Sequence, residues 1–163
     1  MIKRIVILIL ILAPIFTFAQ GAPKTEIDWI PLKKAKEYAK KYNKEILIFF
    51  YKKDCEYCEK MKKEALSDMQ VINLVNNNFL PVKIDSRTKD TIEYNGKKYT
   101  NQQPESSGRH DWRHDFYFEF GRYKDGVITP TISIINSKYK KTTQFTGFQP
   151  KELLLRNIKP YIK

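Results

Sequence analysis

Apolar positions along this chain change their period several times, and each change marks an element. Across residues 28–43, Trp29, Leu32, Ala35, Tyr38, Ala39 and Tyr42 recur at helical spacing while Lys33, Lys34, Lys36, Lys40 and Lys41 fall opposite. This predicts an amphipathic helix capped by Asp28 and ending near Asn43. Glu45–Tyr51 then runs apolar and aromatic without a break, as a central strand covered on both faces does. After Lys52-Lys53-Asp54, residues 55–66 read as a helix whose first turn carries Cys55 and Cys58 and whose inner side carries Met61, Ala65 and Leu66. A short helix over 71–77 and a strand over 79–85, with Pro81 near its start, follow.

Residues 86–126 are less regular and read as an insertion. Ile92-Glu93-Tyr94 and Lys98-Tyr99-Thr100 flank Asn95-Gly96, a dipeptide suited to a two-residue hairpin turn. A polar loop over 101–108 leads to an aromatic helix with Trp112, Phe116, Phe120 and Tyr123 on one side. Beyond Pro130, Thr131–Ile135 and Lys141–Thr146 predict a strand hairpin turning around residues 136–138. A closing helix over 150–162 buries Leu153, Leu154, Ile158 and Ile162. Helix, strand, helix, strand, insertion, two strands and helix make an α/β layer arrangement with an antiparallel hairpin at its edge.

The first nineteen residues are a separate object. Lys3 and Arg4 precede an apolar run over 5–12, and Thr17-Phe18-Ala19 offers small residues for cleavage, so 1–19 reads as a signal peptide cut after Ala19. An uncleaved anchor is the alternative, disfavoured by Pro14 and by a run shorter than the ~20 residues that span a bilayer. Residues 20–27, with Gly21 and Pro23, read as a flexible leader, and 28–163 as one domain. Export places the chain in the periplasm or an equivalent oxidising compartment.

Composition narrows the function classes. With 42% hydrophobic and 13% aromatic residues the chain can build a core. The formal charge of +12 falls to about +10 without Lys3 and Arg4, but the lysines are spread along the chain and no arginine cluster forms. Nucleic acid is therefore not an expected partner, and a monomer is expected.

Only two cysteines exist, Cys55 and Cys58. A staple across two residues closes too short a loop to stabilise much, so the pair is better explained by chemistry. Cys55, at the mouth of a helix, meets free N–H groups and the helix dipole, which favour its thiolate as the attacking group. Cys58, almost one turn on, is placed to resolve a mixed disulfide and is the less exposed sulfur.

The strand before Cys55-Glu56-Tyr57-Cys58, the helix opening on that motif, and Thr129-Pro130-Thr131 before a strand hairpin and last helix together resemble the thioredoxin fold. The resemblance covers nearly all of residues 28–163. It is closest to exported bacterial thioredoxin-like thiol:disulfide oxidoreductases with an extended segment before the Thr-Pro, on Tyr94-Asn95-Gly96-Lys97-Lys98-Tyr99 and His110. It implies a central mixed sheet flanked by helices, a cis bond before Pro130, and a substrate chain held by Thr129 and Pro130, with Tyr57 beside it. It also implies protein substrates bearing thiols or disulfides, no cofactor beyond the redox-active Cys55–Cys58 disulfide, and a redox partner such as a membrane electron donor.

Two departures matter. The family's buried acid, six positions before the first cysteine, is Phe49 here, and its Trp just before that cysteine is Asp54. A buried carboxylate assists proton transfer to the second cysteine, so the direction of exchange stays open between reductase or isomerase and oxidase. Two rival readings remain: a non-catalytic binding protein with a passive disulfide, and a thiol-based metal carrier using His110. His110 and His114, four apart, would share one helical face, where a polar surface is the simpler reading and no metal site is assigned.

Overall fold

A computed structural model describes residues 24–102, 112–124 and 126–163. Its elements are α1 (Leu32–Tyr42), β1 (Glu45–Tyr51), α2 (Glu56–Glu64), α3 (Met69–Asn78), β2 (Phe79–Asp85), β3 (Ile92–Tyr94), β4 (Lys97–Tyr99), α4 (Asp115–Phe120), β5 (Thr131–Ile135), β6 (Lys141–Thr146) and α5 (Lys151–Ile158), closed by a 3₁₀ turn over Lys159–Tyr161. Four strands form a mixed sheet ordered β2-β1-β5-β6. β1 runs parallel to β2 and antiparallel to β5, and β5 antiparallel to β6.

The unbroken apolar run of β1 follows from its central place, because successive side chains enter opposite layers. Leu47 and Phe49 join Met61, Ile72, Ile132 and Leu154 under α2, α3 and α5. Ile46, Ile48 and Phe50 join Ala35, Ala39, Val82, Phe116 and Tyr117 under α1 and α4. The hairpin β3–β4 turns through Asn95 and Gly96, both left-handed at φ 54° and 76°. Asn and Gly tolerate that region best.

Register places the site. Phe50, near the end of β1, pairs with Thr131, the first residue of β5. The segment leaving β1 toward Cys55 and the segment arriving at β5 through Thr129-Pro130 therefore meet at one end of the two central strands.

Several expectations are corrected. α1 starts at Leu32 after Pro31, not at Asp28. The Asp28 side chain pairs instead with Lys24, and its N–H donates to Asn76 Oδ1 at 2.9 Å. Trp29 lies before the helix and packs on Phe49, ring centroids 6.0 Å apart. Residues 24–27, expected to belong to a flexible leader, are docked: Asn76 donates to Glu26 O at 2.9 Å and Ile27 is buried in the core. α4 covers only six residues, so Trp112 precedes it and Tyr123, largely exposed, follows it. Leu155 rather than Leu153 is buried on α5. The segment expected as a signal peptide, 1–19, and the part of the polar loop beyond Gln102 lie outside the described residues. Among the described residues, no helix is long and apolar enough to cross a membrane.

Candidate functional site

The chain leaves β1 through Lys52-Lys53-Asp54, and Asp54 adopts φ 53°, a left-handed conformation that aspartate tolerates better than most residues. That turn delivers Cys55 as the N-cap of α2. Its sulfur accepts the N–H of Cys58 at 3.2 Å, and its carbonyl accepts the N–H groups of Cys58 and Glu59, each at 3.0 Å. The two cysteines are joined as a disulfide with Cα atoms 5.2 Å apart. Cys58 is fully buried, whereas Cys55 keeps 6% exposure at the surface end of the pair. Once the disulfide opens, the N–H groups and dipole at the start of α2 favour negative charge on Cys55.

Across from Cys55 stands the loop into β5. The sulfur lies 3.6 Å from the carbonyl oxygen of Thr129 and 3.9 Å from its hydroxyl oxygen. The Thr129–Pro130 peptide bond is cis. Pro130 is buried, and its carbonyl accepts the N–H of Gly147 at 2.8 Å. Tyr57, on the first turn of α2, is 59% exposed. It lines a groove of about 450 Å³ with Cys55, Lys52, Arg113, Ile128 and Thr129 among its walls. A larger hollow of about 800 Å³ lies between α1, β2 and the β3–β4 hairpin and touches neither cysteine.

Lys52, close before Cys55 in sequence, is joined at the groove by Arg113, and Arg87 acts on it from a third segment. Burial pushes the Lys52 ammonium below its usual pKa, and the charges of Arg87 and Arg113 push it further, against the pull of Asp54. Arg113 is itself buried, donates to the carbonyl of Trp112 at 2.7 Å, and lies 5.9 Å from the centre of the Tyr117 ring. Phe49, six positions before Cys55, is buried and stacks on Tyr51 at 6.0 Å, so an apolar aromatic stands where the resemblance implies an acid.

His114 lies at the N-cap of α4 rather than within a helix, and His110 lies outside the described residues. It caps α4: its Nδ1 accepts the N–H of Phe116 at 3.0 Å, which leaves Nε2–H to donate to Asp90 O at 3.0 Å. Burial lowers its pKa and keeps the ring neutral. Among the described residues, no group of three or more His, Cys, Asp or Glu side chains could hold a metal ion.

Sequence reading also missed Tyr117. It adjoins Phe116 in sequence but falls outside the stripe of Trp112, Phe116, Phe120 and Tyr123, and its partner, Ile128, sits eleven residues on, beyond the reach of helical periodicity.

Comparisons with known proteins agree with this geometry. The sequence profile of the thioredoxin-like domain matches residues 32–160. An uncharacterized Caenorhabditis elegans protein is 30% identical over 87 residues, which are 53% of this chain and 12% of that protein. The chain thus spans only about an eighth of that relative's length. Among solved structures, a DsbH oxidoreductase superposes with a TM-score of 0.58 at 17% identity, covering 85% of this chain and 86% of its own. A thioredoxin from Thermus thermophilus gives 0.56 at 17%, covering 84% and 87%. The C-terminal domain of Neisseria meningitidis DsbD, oxidised, gives 0.53 at 18%, covering 85% and 99%. These likenesses concern the fold. With the profile covering most of its length and its cysteine pair at the head of α2, the chain belongs to the thioredoxin-like domain family.

Proposed function

We propose that this chain is an exported thiol–disulfide oxidoreductase that exchanges disulfides with protein substrates through Cys55 and Cys58. The observation that carries this reading is the Cys55–Cys58 disulfide at the N-cap of α2, with the Cys55 sulfur 3.6 Å from the carbonyl of Thr129. A passive staple has no need of that juxtaposition. Export follows from the charged, apolar and small-residue pattern of residues 1–19.

In the reducing direction, the Cys55 thiolate attacks one sulfur of a substrate disulfide. A Cys55–substrate bond forms, the substrate S–S bond breaks, and the second substrate sulfur leaves as a thiolate and takes a proton. Cys58, deprotonated, then attacks Cys55, forms the intramolecular disulfide and releases the first substrate sulfur as a thiolate, which takes a proton. The substrate gains two electrons and the pair loses two. A dithiol redox partner, such as a membrane electron donor, restores the pair, and every step runs in reverse when the pair oxidises its substrate. Thr129 and Pro130 would hold the substrate chain alongside, with Tyr57 at the rim.

A trapping experiment tests the reading. Cys58→Ser should accumulate a mixed disulfide with substrate proteins through Cys55, seen as adducts on non-reducing gels that dithiothreitol releases, and Cys55→Ser should form none. Normal turnover by either variant would refute the assigned roles.

A further inference from the structure

Helix α4, in the segment between β2 and β5, sends one side chain back toward the loop that carries Thr129 and Pro130. Tyr117 is fully buried, and its hydroxyl grips a single residue twice. The O–H donates to the carbonyl of Ile128 at 2.7 Å, and the oxygen accepts the N–H of Ile128 at 2.9 Å. The Thr131 hydroxyl donates to the same carbonyl at 2.7 Å. Both backbone groups of Ile128 are therefore satisfied inside the chain. Its neighbour differs: among the described residues, no backbone group is bonded to the N–H or C=O of Thr129, and that C=O faces Cys55.

The grip is stiff. The Tyr117 ring meets Phe50 edge-on at 5.4 Å. Gly121 makes room for it, since a Cβ there would lie 2.5 Å from Tyr117 Cδ2. Burial raises the phenol pKa, so the hydroxyl remains a donor across the neutral range.

We propose that Tyr117 is a positioning residue for substrate binding: by clamping Ile128 it sets the direction in which the Thr129 backbone meets an extended substrate segment beside Cys55. The segment between β2 and β5 thereby becomes part of the substrate site. The inference rests on the exchange reaction proposed above. It separates two properties of the site, because the clamp orients the loop without touching the sulfur. Substrate affinity should depend on Tyr117, and the intrinsic reactivity of Cys55 should not.

The test compares wild type with Tyr117→Phe, which removes only the hydroxyl, and with Thr131→Val, which removes the second donor to Ile128 without altering α4. Insulin with dithiothreitol as reductant supplies a protein disulfide, and iodoacetamide alkylation of reduced Cys55 supplies a small probe. Loss of both neutral hydrogen bonds to Ile128 should raise the KM for insulin roughly five- to 150-fold in Tyr117→Phe. Thr131→Val should move KM in the same direction, with kcat, the alkylation rate and its pH profile unchanged in both. Should Tyr117→Phe fail to fold, Thr131→Val carries the same test. An unchanged KM in the folded variants, or a parallel fall in alkylation and insulin reduction, overturns the inference. If wild type itself fails to exchange disulfides under reducing and oxidising conditions alike, the proposed function falls and the inference with it. Exchange by wild type with an unaltered KM in the variants overturns the inference alone.

Discussion

Gly121→Ala tests whether the packing behind the site is as tight as the geometry states. Gly121 closes α4 at φ −111° and ψ −23°, a conformation open to alanine, so the backbone itself sets no penalty. A glycine replaced at such a position usually stabilises by about 0.4–1 kcal/mol, through the unfolded chain. The new methyl, however, would lie 2.5 and 2.7 Å from Tyr117 Cδ2 and Cε2 and 3.0 Å from Phe50 Cδ2. Neither neighbour can yield cheaply, because Phe50 is buried at the centre of the sheet and Tyr117 is tied to Ile128. Overpacking of this kind costs about 1–3 kcal/mol, which exceeds the entropic gain and leaves a net loss of roughly 1–2 kcal/mol. At this chain length the loss corresponds to a fall in Tm of roughly 2–8 °C. Urea and thermal unfolding of the oxidised proteins, with the disulfide intact in both, provide the comparison, and the urea slope should not change. A variant as stable as wild type, or more stable, would refute the packing argument and weaken the clamp built on it.

Further predictions concern charge. Because burial depresses the His114 pKa, the unfolded chain takes up a proton that the folded chain refuses. The stability associated with neutral His114 is thus complete above the unfolded value of about 6.5 and is lost as pH falls through the lower folded value. The unfolding midpoint should drop between pH 7.5 and 5, and His114→Asn, which keeps a capping acceptor, should flatten that drop; equal slopes would refute it, with His110 present in both proteins. Lys52 carries its charge where burial, Arg87 and Arg113 disfavour it, a penalty present at every pH below its depressed pKa, neutral pH included. Lys52→Met should relieve that penalty while removing a cation from the groove of Cys55. Stability should hold or rise as the pH midpoint of Cys55 alkylation moves upward, and a midpoint that stays or falls would contradict the electrostatic reading.

The sheet was legible in the sequence because its signals are local and strong. The unbroken run of β1 can only be a strand covered twice, and Asn95-Gly96 names its own turn. Cys55 and Cys58 were legible for the same reason, since their spacing and the preceding strand are contiguous. Helix starts were harder. Trp29 continues the α1 periodicity, yet its apolar ring is spoken for by Phe49, and Pro31 occupies the N-cap position. The aromatic stripe from Trp112 to Tyr123 overran α4 because aromatic side chains are also buried from irregular backbone: Trp112 is covered by Arg87 and Lys89, at 5.0 and 4.8 Å from its ring centre. His114 and Tyr117 owe their roles to Asp90 and Ile128, partners that tertiary structure brings near and that no local period encodes. The electrostatics around Lys52 are only half legible in the sequence, since Lys52 lies just before the cysteine motif whereas Arg87 and Arg113 reach it from two other segments.

The central claim is that Cys55–Cys58 is a working redox couple, and equilibration of the protein with glutathione buffers of graded poise tests it most directly. The account predicts a reversible two-electron transition with a midpoint above about −300 mV, within reach of cellular thiol partners. A disulfide that resists reduction well below about −300 mV, together with no exchange on any protein substrate, would mark the pair as a structural staple and contradict the account.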